Sequence, residues 1–244
     1  MWLLSKMSSL KDIYFSFLNL LYPPQCLHCL EGLVDHKSLL CDVCSTLLDL
    51  MNPLERCIHC FADNKLADHF YCYDCECREK IFSGFASVFQ YMGAASSIIK
   101  KMKYSDMPYL SKGIAAYMIS QFVSLDWPIP DVIVPVPISF THQLRRGYNQ
   151  SLLIAEEFGK YINIPVEKAL VRSRSSYSQA GLLRHQRERL SPLTFSLNNK
   201  VSIEGKSVLL IDDVYTTGTT LKCCAEILLL GGIKDIHAMT FCRA

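Results

Sequence analysis

Eight cysteines, set in four C-x2-C pairs, constrain this chain more than any other feature: Cys26 and Cys29, Cys41 and Cys44, Cys57 and Cys60, Cys72 and Cys75. Within each half the two pairs are separated by eleven residues, and a shift of 31 positions lays every cysteine of the first half onto one of the second. The region therefore reads as a duplicated unit. A two-residue gap lets a tight knuckle turn present both thiolates to one ion, and two knuckles complete a closed tetrahedral zinc site with no position left for water. The repeat favours sequential ligation: one structural zinc on Cys26, Cys29, Cys41 and Cys44, a second on Cys57, Cys60, Cys72 and Cys75. Cross-braced ligation is the alternative, and free or disulfide-bonded cysteines are the weaker one. His28 and His59 fall at equivalent places inside the knuckles and read as outward-facing side chains, and Cys77 as a spare thiol. With little apolar content of its own, the module is expected to need metal to fold.

So many cysteines would suggest disulfides in a secreted protein, but the apolar stretch at residues 1–22 is interrupted by Lys6, Lys11 and Asp12 and does not resemble a cleavable signal. A reducing compartment is expected, and no run is long enough for a transmembrane segment. Leu10, Tyr14, Phe17, Leu18 and Leu21 recur at helical spacing, which predicts an amphipathic helix ended by Pro23 and Pro24. The expected division is an N-terminal helix at residues 1–24, a double zinc-ribbon module at 25–78 and a larger domain at 85–244. The formal net charge of +2 excludes a global electrostatic footprint for nucleic acid. Locally the balance differs: residues 139–190 hold nine Lys or Arg against four Glu and no Asp.

From about Phe85 onward apolar strand-like runs alternate with helical stretches, the pattern of an α/β fold with a parallel sheet flanked by helices. Strands are expected at 131–135, 166–171, 207–211 and 235–241. Helices are expected at 149–162 and 219–230, with further ones at 98–102 and 110–123. Cys223, Cys224 and Cys242 read as core thiols.

The sharpest constellation is VLLIDDVYTTGTT at residues 208–220. An apolar strand ends in Asp212 and Asp213, and the turn Thr216, Thr217, Gly218, Thr219, Thr220 opens a helix. In open α/β sheets ligands sit beyond the carboxyl ends of strands, where both carboxylates are expected to emerge and accept hydrogen bonds from sugar hydroxyls. The turn offers hydroxyls and backbone N–H groups at a helix N-terminus, where the macrodipole favours a phosphate, and Gly218 allows close approach. A sugar phosphate fits both ends. Simple helix capping by the threonines is the plainer alternative.

This segment resembles the signature of type I phosphoribosyltransferases. The resemblance implies that Asp212 and Asp213 hold the ribose hydroxyls, that Thr216 to Thr220 bind the 5′-phosphate of phosphoribosyl pyrophosphate or a related sugar phosphate, and that Mg2+ accompanies the pyrophosphate. VPVP at 134–137 ends an earlier strand, and RRGYNQ at 145–150 follows in a loop leading to a helix. Arg145 and Arg146 are placed there either to receive a pyrophosphate or as solvated loop charges. The Ser-, Gln- and Arg-rich residues 172–189 read as a mobile lid or as an ordinary surface loop.

In their order, the double cysteine module, a basic-aromatic stretch at Lys101, Met102, Lys103 and Tyr104, VPVP, RRGYNQ, the Gln179 and Arg187 segment and IDDVYTTGTT resemble the competence protein F (ComF) family. The family usually has an asparagine where this chain has Leu190. The resemblance implies a bacterial cytoplasmic protein of DNA uptake or natural transformation, with single-stranded DNA and DNA-uptake proteins as partners, and it leaves a homodimer open. Two functions are then in view. One is a phosphoribosyltransferase of unidentified acceptor, for which no base-binding hood is recognisable in the residues. The other is a non-catalytic single-stranded DNA-binding module using Arg145, Arg146, Tyr148, Arg174, Tyr177, Arg184 and Arg187, with the phosphate loop as sensor or scaffold.

Overall fold

The computed structural model describes residues 24–35, 38–64, 71–76, 80–172 and 194–244. The expected N-terminal helix, Cys77 and the greater part of the proposed lid, including Arg174, Tyr177, Gln179, Arg184, Arg187 and Leu190, lie outside them. In chain order the elements are α1 (Asp42–Thr46), α2 (Tyr73–Glu76), β1 (Gly84–Gln90), α3 (Gly93–Tyr104), α4 (Leu110–Val123), β2 (Val132–Pro135), α5 (Phe140–Arg146), α6 (Gln150–Ile162), β3 (Leu170–Arg172), β4 (Phe195–Leu197), β5 (Ser207–Tyr215), α7 (Thr219–Leu230) and β6 (Asp235–Arg243).

Four strands form an all-parallel sheet in the order β1-β6-β5-β2. Parallel strands need crossovers, and right-handed crossovers fix which face each helix covers. The step from β1 to β2 runs across the sheet one way and places α3 and α4 on one face. The step from β5 to β6 runs the other way and places α7 on the opposite face. Strands covered on both faces are apolar throughout: all four residues of β2, and residues 208–211 of β5, are buried. In α4 the buried positions Leu110, Ile114, Ala115, Met118 and Gln121 follow helical spacing. The buried Gln121 side chain is satisfied by donating to the Met51 carbonyl at 2.8 Å. Close packing of α6 on the sheet requires Gly159, where a Cβ would lie 2.6 Å from the Ile164 carbonyl and 2.7 Å from Val166.

Three expectations need correction. The strand read at 166–171 is divided: Val166 forms an isolated parallel bridge to Ile133, whereas β3 pairs antiparallel with β4. The turn is fixed by Asn198, whose backbone N–H donates to Ala169 and whose side chain donates to Lys168, so this backbone is satisfied away from the main sheet. β5 does not stop before the acids but continues to Tyr215, because β6 extends to Arg243 and keeps offering ladder partners. Arg145 and Arg146 are not in a loop: they form the last turn of α5, which begins at the Ser139 cap and ends at Gly147 in the left-handed region (φ 77°).

The cysteine duplication is visible in the backbone. Gln25 bridges Gly32 and, 31 residues on, Arg56 bridges Asp63. Leu30 and Phe61, again 31 apart, both adopt positive φ (65° and 56°). Their amides donate to Cys26 and Cys57, respectively. The segment between the two units joins the larger domain: the Met51 amide donates to Val88 of β1, and Met51 and Phe61 belong to the main core.

Candidate functional site

The reversal of crossover direction creates a switch point at the carboxyl ends of β5 and β2, the place where open α/β sheets bind their ligands. The two strands stay paired through Pro135 opposite Ile211, after which β5 keeps only β6 as neighbour. Asp212 and Asp213 are the first residues beyond that pairing. Asp213 is buried and meets the ammonium of Lys103, from the end of α3, with both its oxygens 2.8 Å from Nζ. Asp212 accepts from the Ser151 hydroxyl at 2.7 Å and from the Asp213 amide at 2.8 Å. Burial and the neighbouring Asp213 charge push its pKa up to about 7, against those hydrogen bonds.

Following β5, Gly218 sits in the left-handed region (φ 74°) and starts α7 without a side-chain cap of its own. The first amide of α7, that of Thr219, donates to the Thr217 hydroxyl at 3.5 Å, and the Thr217 and Thr219 hydroxyls lie 2.9 Å apart. A Cβ at Gly218 would fall 2.6 Å from the Tyr215 hydroxyl, so glycine is required on two counts. Thr216 and Thr217 are exposed, Thr219 and Thr220 half-buried.

Cations gather around the same end of the sheet. Arg146 donates to Gln150 at 3.2 Å and lies 5.4 Å from the ring centroid of Tyr104. Tyr148 donates to the Met102 carbonyl at 2.5 Å. These contacts join two basic motifs that are separate in the sequence, 101–104 and 145–150, into one surface. Arg145 is exposed. Partial burial, then the charges of Arg146, Arg172, Arg145 and Lys103, lower the pKa of His142, which places that residue inside a cationic group. Arg172, at the end of β3, is a further member of this group, not evident as a ligand residue from the sequence alone; its Nε is buried with no hydrogen-bond partner among the described residues, and its charge is felt by Cys224 and Asp212. Lys103 and Ser151 are likewise additions. Lys103 had a signal in the basic-aromatic stretch, whereas Ser151 had none.

Each group of four cysteines gathers in sequence order, its ligand atoms within 4.8 Å of one another, as the repeat favours and cross-bracing would not. The sulfur pairs Cys29 and Cys41 (3.6 Å) and Cys60 and Cys72 (3.5 Å) sit near the roughly 3.8 Å that a tetrahedron with 2.3 Å metal–sulfur bonds demands. Although burial opposes it, backbone amides pull the pKa of Cys26 down to about 6 and that of Cys57 to about 7, whereas burial and the neighbouring sulfurs push Cys44 up to about 12 and Cys60 to about 11, as expected for four thiols crowded together. Both donor sets fit zinc. His28 Nδ1 contacts the Ser97 hydroxyl at 2.9 Å and His59 stacks on Tyr71, so neither is part of a four-sulfur set.

The phosphoribosyl transferase domain family matches residues 112–244, more than half of the chain. Competence protein F of Haemophilus influenzae is 27% identical over 90% of this chain and 97% of its own length. Competence protein ComFC of Streptococcus pneumoniae is 28% identical over 84% and 88%, and DNA utilization protein YhgH of Escherichia coli 25% over 72% and 78%. Among solved structures, the glutamine phosphoribosylpyrophosphate amidotransferase of B. subtilis aligns with 58% of this chain and 30% of its own, at 20% identity and a TM-score of 0.41. Adenine phosphoribosyltransferase of Leishmania tarentolae aligns with 62% and 76%, at 15% identity and a TM-score of 0.37. With that family model matched over more than half of its length, the chain belongs to the phosphoribosyl transferase domain family, and its two four-cysteine clusters and its competence-protein relatives make it a ComF-type member.

Proposed function

We propose that this protein binds phosphoribosyl pyrophosphate, or a closely related sugar phosphate, and serves the uptake or use of DNA. One observation carries the ligand: the N-terminus of α7 and the acids at the end of β5 share the switch point with cations, Lys103 paired to Asp213, Arg172 whose charge is felt by Asp212, and Arg146 in the same cationic group. The turn at residues 216–220 takes the 5′-phosphate. Asp212 accepts from ribose hydroxyls, while Lys103 holds Asp213 beside them. Arg145, Arg146 and Arg172 draw in the pyrophosphate. Mg2+, brought with the pyrophosphate, supplies charge neutralisation there. The DNA role rests on the names of the relatives, competence protein F and DNA utilization protein. The two cysteine clusters carry one structural zinc each.

Calorimetry of phosphoribosyl pyrophosphate with Mg2+ tests the assignment. Binding by the wild type, lost in Asp212→Ala/Asp213→Ala with the fold intact, supports it; a wild type that does not bind refutes it. A second reading, single-stranded DNA along the same surface, is favoured by the exposed rings of Tyr104 and Phe140 among these cations. It predicts an affinity that falls steeply with salt.

A further inference from the structure

The duplicated cysteine units share a backbone but not a setting. Leu30 of the first is 59% exposed, whereas its counterpart Phe61 is 2% exposed and inserted in the main core. The first cluster lies against the start of α3, where Cys26 and Cys44 pack on Ala94. The second shares a cleft of about 220 Å³ with the phosphate loop, lined by His59, Cys60, Cys75 and Lys80 on one side and by Thr217, Thr219 and Lys222 on the other.

A chain of contacts crosses that cleft. The carbonyl of Cys60 accepts from the Arg243 guanidinium. That guanidinium lies 4.8 Å from the Tyr215 ring centroid, whose other neighbour is Phe85 at 4.6 Å. The Tyr215 hydroxyl lies 2.6 Å from where a Cβ on Gly218 would be, so the ring closes directly against the turn. Tyr215 and Arg243 are also ladder partners on β5 and β6.

We propose that Arg243 is a positioning residue through which the second cysteine cluster, and not the first, sets the shape of the phosphate loop, so that metal in that cluster and an anion in the loop bind cooperatively. This rests on the phosphate-loop assignment given under Proposed function. The physical link is the knuckle turn. Metal ligation by Cys57 and Cys60 fixes the turn, aims the Cys60 carbonyl at Arg243 and holds Phe61 in a left-handed conformation that a bulky residue adopts only under constraint. Without metal the carbonyl loses its aim, Arg243 is released, and Tyr215 no longer closes against Gly218. Linkage is reciprocal, so an anion in the loop must also act on the metal site.

The test uses the full-length chain with cobalt in both clusters and ribose 5-phosphate as probe, read by thiolate-to-cobalt absorption and by calorimetry. In the wild type saturation with ribose 5-phosphate shifts the absorption. Arg243→Gln, still holding two metals, binds the probe about tenfold more weakly, within the usual range of coupling between sites, and shows no shift. Arg243→Lys keeps the charge without the planar fork, gives an intermediate affinity, and carries the test if Arg243→Gln does not load metal. A wild type that binds with unchanged absorption, together with wild-type affinity in the Arg243 variants, overturns the inference alone. A wild type that does not bind ribose 5-phosphate overturns the phosphate-loop assignment and the inference with it.

Discussion

Lys103 and Asp213, 110 residues apart, form a short ion pair in which one ammonium nitrogen lies 2.8 Å from both carboxylate oxygens. The pair joins the end of α3 to the end of β5, and it ties together the basic-aromatic stretch and the acid pair of the motif at residues 208–220. Removing one partner leaves a largely buried charge unopposed. Lys103→Met is expected to lower stability by about 2 kcal/mol, less than for a fully dry pair because the lysine keeps some solvent contact. Lys103→Met/Asp213→Asn should recover most of that loss, and urea midpoints of the four proteins measure it.

Asp212 makes the site sensitive to pH. Its pKa is raised from 3.8 to about 7 by burial and by the charge of Asp213. Between these values the folded state holds a proton that the unfolded chain has released. The stability contributed by this group is therefore complete below about pH 4 and is lost as the pH rises to about 7. Asp212→Asn should gain stability relative to the wild type across that window and hold the gain above it. In the wild type, binding of phosphoribosyl pyrophosphate should strengthen as the pH rises through about 7, where the folded protein gives up that proton, since the carboxylate is the stronger acceptor for ribose hydroxyls. Thermal melts and calorimetry at pH 5 and 8 decide both.

Gly218→Ala places a methyl group against Tyr215 and a side-chain-bearing residue at φ 74°. The backbone cost alone is about 1 kcal/mol. Ribose 5-phosphate affinity should fall at least tenfold in calorimetry, and Gly218→Ala/Tyr215→Ala should relieve the clash without restoring the loop. Full affinity in Gly218→Ala would show that the turn does not cradle the phosphate.

Leu30 and Phe61 occupy the same place in the two cysteine units, yet only Phe61 is buried. Phe61→Ala should cost about 3 to 5 kcal/mol, as for other large core side chains, whereas Leu30→Ala should stay within about 0.5 kcal/mol. Chelation should reproduce the asymmetry: loss of the second metal lowers the stability of the larger domain, in whose core Phe61 sits, while loss of the first leaves it nearly unchanged. Metal release followed beside circular-dichroism melts during a chelator titration would show which loss lowers stability.

Much of the fold was legible because its signals are local. Helix 110–123 coincides with α4 since its apolar spacing is regular, and the core of β5 could be read from residues 208–211 alone. Residues 166–171 defeated the same method. An apolar run does not reveal whether its backbone will pair within the main sheet or turn out to meet β4, a choice made by Asn198. RRGYNQ looked like a loop because glycine and asparagine follow the arginines, whereas Ser139 upstream and Gly147 downstream bound a short helix that ends on them.

The sequence by itself determined the cysteine duplication, the parallel α/β character and the acid-and-threonine motif, because each is written in spacing along a few neighbouring residues. Only the tertiary structure decided that Lys103 would sit on Asp213, Ser151 on Asp212 and Arg243 between a cysteine knuckle and Tyr215. Those partners lie 61 to 183 residues apart, wherever they are not neighbours on the β5–β6 ladder. The crossover geometry and the core bring them together, and no local pattern encodes a meeting between side chains whose separation is set by how the sheet is wound.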